Sequence, residues 1–294
     1  MADLCEALLA TPPLGAARRH IERCDETTLA RQAALSAIPA PTGAESARAA
    51  RVAELLDDAG LDGVSIDAVG NVRGWYGHGS RETAETEPGC VILSAHLDTV
   101  FGPELDVSVA RRGPRLEGPG ISDNARGLAA LVTIAEALAA TRVATGRPIL
   151  FAATVGEEGH GNLRGVRHLF AEGGPAGGRP HAFIALDGAG VERIVHRALG
   201  SRRYRVTYRG PGGHSWSAFG VANPAAAVGR AAALLAEIPT GDASPRATCA
   251  VVRLGGGTGL NSIPQEAFCD LDLRSEDARA LEWLDGAVQA ALTR

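Results

Sequence analysis

Short apolar runs alternate along the first two thirds of the chain with stretches whose apolar positions recur at helical spacing. Residues 1–40 carry an Arg/Glu-rich amphipathic pattern that reads as helical up to Ile38, and the cluster Pro39–Gly43 reads as a turn. Glu45 to Ala59 predicts a helix with Ala49, Val52, Leu55 and Leu56 on one face and Gly60 at its end. Val64–Ile66 and Asn71–Tyr76 predict a hairpin around Val69-Gly70, and residues 77–89 a polar surface loop. The run Val91–His96 is a buried strand that ends abruptly in His96 and Asp98. After a loop at Gly113–Gly120, a helix begins at Asp123-Asn124, with Leu128, Leu131, Val132, Ala135 and Leu138 at helical spacing. Pro148 to Val155 is a further apolar strand, ending at Gly156-Glu157-Glu158-Gly159. A helix over Leu163–Ala171, a flexible link at Gly173–Pro180 and a strand over Ala182–Leu186, ending at Asp187-Gly188, complete this part.

Strands alternating with helices predict an α/β fold whose sheet has parallel members. The texture changes after about residue 198. Arg202–Arg209 alternates like a half-exposed antiparallel strand, with Tyr204, Val206 and Tyr208 on one side. An Ala-rich helix starts at Asn223-Pro224 and runs to about Ile238. Strands over Ala247–Leu254 and Glu266–Arg274 follow, then a helix from Glu276 to Leu292. This βαββα order resembles a split-βαβ layer lacking its last strand. The expected division is 1–197 and 198–294.

Composition narrows the class. With 294 residues, 45% hydrophobic and 21% charged, the chain has a globular composition and room for two domains. A net charge of −5 and the lack of a basic stripe with interleaved aromatics argue against a nucleic-acid partner. No apolar run is long enough for a bilayer, and no secretory signal is recognisable. The five cysteines are scattered, with no Cys-x-x-Cys pair, which fits reduced thiols in a cytoplasmic protein rather than a disulfide framework.

The polar residues at the strand exits and at one helix start carry the chemistry: His96, Asp98, Asp123, Glu157, Glu158 and Asp187. Strand exits of a parallel sheet converge on one face. One imidazole and several carboxylates there would repel strongly without a cation, and zinc accepts these donors. A carboxylate shared by two ions would build a two-metal site able to activate water for attack on a carbonyl. Each residue also has a plainer reading. Asp123 suits a helix N-cap, Glu157-Glu158 a solvated turn, and Asp187-Gly188 a turn.

Three motifs, Ser94-Ala-His96-Leu-Asp98-Thr99-Val100, Gly118-Pro-Gly120-Ile-Ser-Asp123-Asn124-Ala-Arg126-Gly127 and Val155-Gly-Glu157-Glu158-Gly159, resemble the signatures of the dinuclear zinc exopeptidase and deacylase family. That family includes peptidase T, carboxypeptidase G, acetylornithine deacetylase and succinyl-diaminopimelate desuccinylase, and Leu186-Asp187-Gly188-Ala-Gly190 looks closest to the peptidase T-like branch. The resemblance implies a mixed sheet flanked by helices, with an inserted ferredoxin-like α+β lid, incomplete at the C-terminus here, that often pairs two subunits. It implies that His96 binds one zinc with Asp98 behind it, that Asp123 bridges two ions, that Glu158 binds the second and that Asp187 completes the first. Glu157 would be the general base. Gly210-Pro-Gly-Gly-His214-Ser-Trp216 resembles the lid motif whose His polarises the scissile carbonyl in a neighbouring subunit's site. Asn261 and Arg274 match lid segments that contact substrate. Arg274 could read a substrate carboxylate or form a strand-edge ion pair with Asp272.

The implied activity is hydrolysis of amide bonds in small peptides or N-acyl amino acids by a hydroxide held between two zinc ions, with cobalt or manganese as other possible metals and a homodimer formed through the lid. One departure stands against this. The family supplies another metal-binding His near its C-terminus, and no histidine follows His214 here. A fragment, a truncated product or a substitute ligand such as His160 would each account for it. The alternative function is therefore a non-catalytic remnant or a peptide-binding protein of the same fold.

Overall fold

The computed structural model describes residues 2–77, 89–171, 174, 180–188, 190, 192–240 and 245–293. Most of the expected loop at 77–89 and most of the link at Gly173–Pro180 lie outside the described residues. The chain divides into two units, Met1–Val191 and Glu192–Arg294.

In the first unit the N-terminal helical pattern resolves into α1 (Ala2–Leu9), α2 (Pro12–Arg23) and α3 (Asp25–Ser36). Prolines occupy the first turn of α2, where a missing N–H costs nothing. Helix α4 (Ser46–Asp58) follows the turn at Pro39–Gly43 and buries Arg48, Ala49, Val52 and Leu56. Strands β1 (Asp62–Ile66) and β2 (Val72–Tyr76) form the expected hairpin. They continue into a five-stranded sheet ordered β1-β2-β6-β3-β7, with β3 at Val91–His96, β6 at Ile149–Thr154 and β7 at Ala182–Ala185. The sheet is mixed: β3 runs parallel to both β6 and β7, while β2 runs antiparallel to β1 and β6.

Strands β3 and β6 read as unbroken apolar runs because both faces are covered, whereas the edge strand β7 is largely exposed. Phe151, Ala153 and Ala95 pack with Leu128, Leu131 and Val132 of α5 (Ala125–Thr141) and with Val52 and Leu56 of α4. Their neighbours Leu150, Ala152 and Ile92 pack on the other face with Trp75 and with Leu169 of α6 (Arg164–Phe170). Part of the loop read at Gly113–Gly120 is instead a small hairpin, β4 (Ala110–Arg112) with β5 (Arg115–Glu117). Its strands are short, charged and exposed, so no hydrophobic pattern marks them. Gly113, at φ 61°, makes the turn.

The second unit follows the βαββα order read from the sequence. Strands β8 (Gly200–Arg209), β10 (Ala247–Gly256) and β12 (Glu266–Ser275) form an antiparallel sheet ordered β10-β12-β8. Helices α7 (Pro224–Ala236) and α8 (Ala278–Leu292) close a core of Val228, Leu235, Leu271, Leu273, Leu284 and Val288. Asn223 and Asp277 cap them, each accepting first-turn N–H bonds. A two-residue ladder absent from the sequence reading pairs β9 (Gly213–His214) with β11 (Ser262–Ile263). No helix among the described residues is long and apolar enough to cross a membrane.

Candidate metal centre

Strands β3, β6 and β7 run in one direction, so their exits deliver His96, the Glu157-Glu158 pair and Asp187 to one edge of the sheet. The start of α5 brings Asp123 to the same place. The Asp123–Asn124 peptide is cis. The Asn124 side chain caps α5 by accepting the Gly127 N–H at 3.1 Å and donates to the Leu186 carbonyl at 2.9 Å. One side chain thus ties the residue after Asp123 to the residue before Asp187. Gly127 is required at this junction, since a Cβ there would stand 2.4 Å from the Leu186 carbonyl oxygen.

His96 is 4% exposed. Its Nδ1 lies 3.0 Å from the Asp98 carbonyl oxygen and 3.5 Å from the Asp98 carboxylate, so Nδ1 carries a proton and donates it. Nε2 points the other way, 2.9 Å from Asp123 and 3.5 Å from Asp187. Asp98 is fully buried, and its carboxylate accepts the Glu157 N–H, the Glu158 N–H and the Thr42 hydroxyl at 2.8–2.9 Å. Burial opposes its charge, but the bonds from His96, from these two N–H groups and from Thr42 hold its carboxyl well below the usual range. Asp98 therefore fixes both the His96 ring and the backbone of the Glu157-Glu158 turn.

Glu45 supports that turn from a second side. It is buried, and it accepts the Gly156 N–H at 3.1 Å and pairs with Arg164 at 3.3 Å. Gly156 itself sits at φ 64°, the left-handed region that suits glycine.

Two overlapping sets of donors result. The ligand atoms of His96, Glu157 and Glu158 lie within 4.8 Å of one another, as do those of His96, Asp123 and Asp187. His96, Glu157 and Asp187 also line a cavity of about 170 Å³ walled by Leu163, Phe183 and Asn124. Burial lifts the carboxyls of Glu157 and Glu158, in Glu158 reinforced by Asp123, while the hydrogen bond from His96 lowers that of Asp187. Burial works against a charged His96, yet the hydrogen bonds to Asp187 and Asp98 outweigh it and push its pKa up to about 11. The cluster therefore holds a proton as its counter-charge. Imidazole and carboxylate oxygens are the donors that zinc, cobalt and manganese accept, so the residues present fit a divalent cation.

The pH consequence follows from the direction of the His96 shift. In metal-free protein this imidazolium contributes stability that is complete below about pH 6.5 and is lost as pH rises through about 11. A metal that takes Nε2 must displace that proton. Zinc binding at neutral pH is expected to release close to one proton from His96, readable from calorimetry in buffers of different ionisation enthalpy.

The remaining residues singled out from the sequence stand elsewhere. His160 belongs to neither donor set and lines a separate surface cavity with Arg164 and Arg167. In the second unit His214 accepts the Trp216 N–H on Nδ1 at 3.2 Å, and the Asn261 amide nitrogen lies 3.5 Å from Nε2. Arg274 pairs with Asp272 at 2.7 Å, but β12 is the central strand, so this is not the edge pair read from the sequence.

Comparison with known proteins agrees with this architecture. Residues 78–213 match the peptidase family M28, and residues 198–294 match the peptidase dimerisation domain. No curated protein matches the chain. Among solved structures, aminopeptidase PepT from Bacillus cereus superposes with a TM-score of 0.68 at 20% identity, over 91% of this chain and 71% of that one. A tripeptidase from Staphylococcus aureus gives 0.68 at 19% identity, over 90% and 70%. Human carnosine dipeptidase 1 gives 0.65 at 14% identity, over 95% and 76%. These likenesses show a shared fold. The two family matches run on from residue 78 to residue 294, a peptidase segment followed by a dimerisation segment.

Proposed function

We propose that this protein is a metal-dependent hydrolase of amide bonds in small peptides or N-acyl amino acids. The observation that carries the reading is the convergence of one buried imidazole and four carboxylates, from three strand exits and one helix start, around a space that demands positive charge. His96, Asp187 and Asp123 would hold one ion, and Asp123 with Glu158 a second, zinc being the expected metal. Bound there, such ions polarise a carbonyl oxygen and acidify water.

Glu157 is the general base. Its N–H is bound by Asp98, which fixes the turn that presents its carboxyl, and its burial favours a protonated form once it has taken a proton from water. It then returns that proton to the leaving nitrogen. Asp98 acts through its neighbours, keeping Nδ1–H on His96 and the lone pair on Nε2.

The match of residues 198–294 to a dimerisation domain supports a homodimer formed through this unit. His214, protonated on Nε2, would donate to a substrate carbonyl. Asn261 beside it offers a second polar contact, and the Arg274 guanidinium a site for a substrate carboxylate. The cysteines are free, as a reducing cytoplasm would keep them. Chelator-sensitive release of amino acids from a panel of unblocked dipeptides, tripeptides and N-acyl amino acids tests the proposal.

A further inference from the structure

Among the described residues, the buried charged ones are Glu45, Arg48, His96 and Asp98, and all four meet where α4 begins and β3 ends. Three of them have a place in the account above. Arg48 does not. It is 1% exposed, it forms no ion pair with a carboxylate among the described residues, and all its hydrogen bonds go to main-chain carbonyls. Nε and Nη2 donate to Ile38 at 3.1 and 2.5 Å, and Nη2 also donates at 3.3 Å to Ser36, the last residue of α3. Nη1 donates at 2.8 Å to Leu97, the residue between His96 and Asp98.

Leu97 is itself fully buried, and its N–H donates to the Thr154 carbonyl at 2.7 Å. In an extended segment the direction of the Leu97 carbonyl determines where the flanking side chains point. His96 aims Nε2 at Asp123 and Asp187, and Asp98 holds the Glu157 and Glu158 N–H groups. A displacement of the Leu97 carbonyl would therefore reach both donor sets. A guanidinium fork suits this task, because it can bind carbonyls from three residues at once while staying charged. The nearby Asp98 charge favours the Arg48 cation, though burial pulls its pKa down to about 10.

We propose that Arg48 is a positioning residue for the metal centre, fixing the Leu97 carbonyl and through it the aim of His96 and Asp98. The inference rests on the metal-binding reading of the site. It is tested by zinc affinity, measured on the full chain by competition with a chromophoric chelator, for the wild type, Arg48→Met, Arg48→Lys and Arg51→Met. Arg51 lies on the same helix but pairs with Glu54 at the surface, so its replacement serves as the control. Loss of a group that orients metal ligands typically weakens binding roughly 10- to 100-fold, the effect expected of Arg48→Met. Arg48→Lys keeps the charge without the fork and falls between Met and the wild type.

A merely structural Arg48 would lower the unfolding midpoint and leave the affinity of the folded protein unmoved. A folded Arg48→Met protein that binds zinc like the wild type overturns the inference while the metal reading stands. If Arg48→Met does not fold, Arg48→Lys decides in the same way: weaker zinc binding supports the inference, and unchanged binding overturns it. A wild type that binds no zinc overturns the metal reading first, and this inference with it.

Discussion

Glu157→Gln is expected to lower turnover of a cleaved peptide by roughly 10²- to 10⁴-fold, the usual contribution of a positioned general base, with metal content unchanged. The substitution keeps the shape of the side chain and removes only its capacity to take a proton. The experiment separates two roles that geometry alone leaves side by side, because Glu157 lies within ligand distance of His96 and Glu158. A base loses rate and keeps metal. A ligand loses both. Turnover and metal per chain measured on one preparation distinguish them, and an unchanged rate would sink the assigned mechanism.

His96→Ala should have the larger effect on the metal. His96 is the one residue common to both donor sets, and it is the only nitrogen donor in either. Its removal also leaves the buried Asp98 carboxylate without its imidazole partner. Zinc affinity should fall by more than the roughly 100-fold that loss of an outer partner can cost, and peptide hydrolysis should fall to background. Asp98 keeps its bonds to Thr42 and to the Glu157 and Glu158 N–H groups, so the fold should survive. Chelator competition read beside circular dichroism checks both statements. Retention of wild-type zinc affinity in a folded His96→Ala protein would remove His96 from the site.

Much of the centre is legible in the sequence because each donor interrupts an apolar pattern. His96 follows Val91–Ala95, Glu157 follows Phe151–Val155, and Asp187 follows Ala182–Leu186. The runs before His96 and Glu157 mark strands buried on both faces, the run before Asp187 is the largely exposed edge strand β7, and in all three the abrupt polarity marks the exit. The supporting residues are far less visible. Thr42 and Glu45 look like ordinary turn and helix-start residues, and only the fold brings them to Asp98 and Gly156. Arg48 did leave a signal. It stands four and eight residues before Val52 and Leu56, at the start of the buried stripe of α4, where a charge needs partners. A reading of that face that begins at Ala49 passes over it.

The β4–β5 hairpin and the β9–β11 ladder escaped for the opposite reason. They are too short and too exposed to impose a hydrophobic period, and chain geometry alone makes them. The same holds for the pairing of His214 Nδ1 with the Trp216 N–H, which depends on a local turn rather than on residue type.

The central claim, metal-dependent hydrolysis of amide bonds, is tested most directly by assaying the purified protein on unblocked di- and tripeptides and N-acyl amino acids. The assay is run as purified, after a chelator, and after restoring zinc, cobalt or manganese. The account predicts cleavage that chelation abolishes and a divalent metal restores. Cleavage that persists in metal-free protein, or no cleavage of any substrate by fully metal-loaded protein, would contradict it.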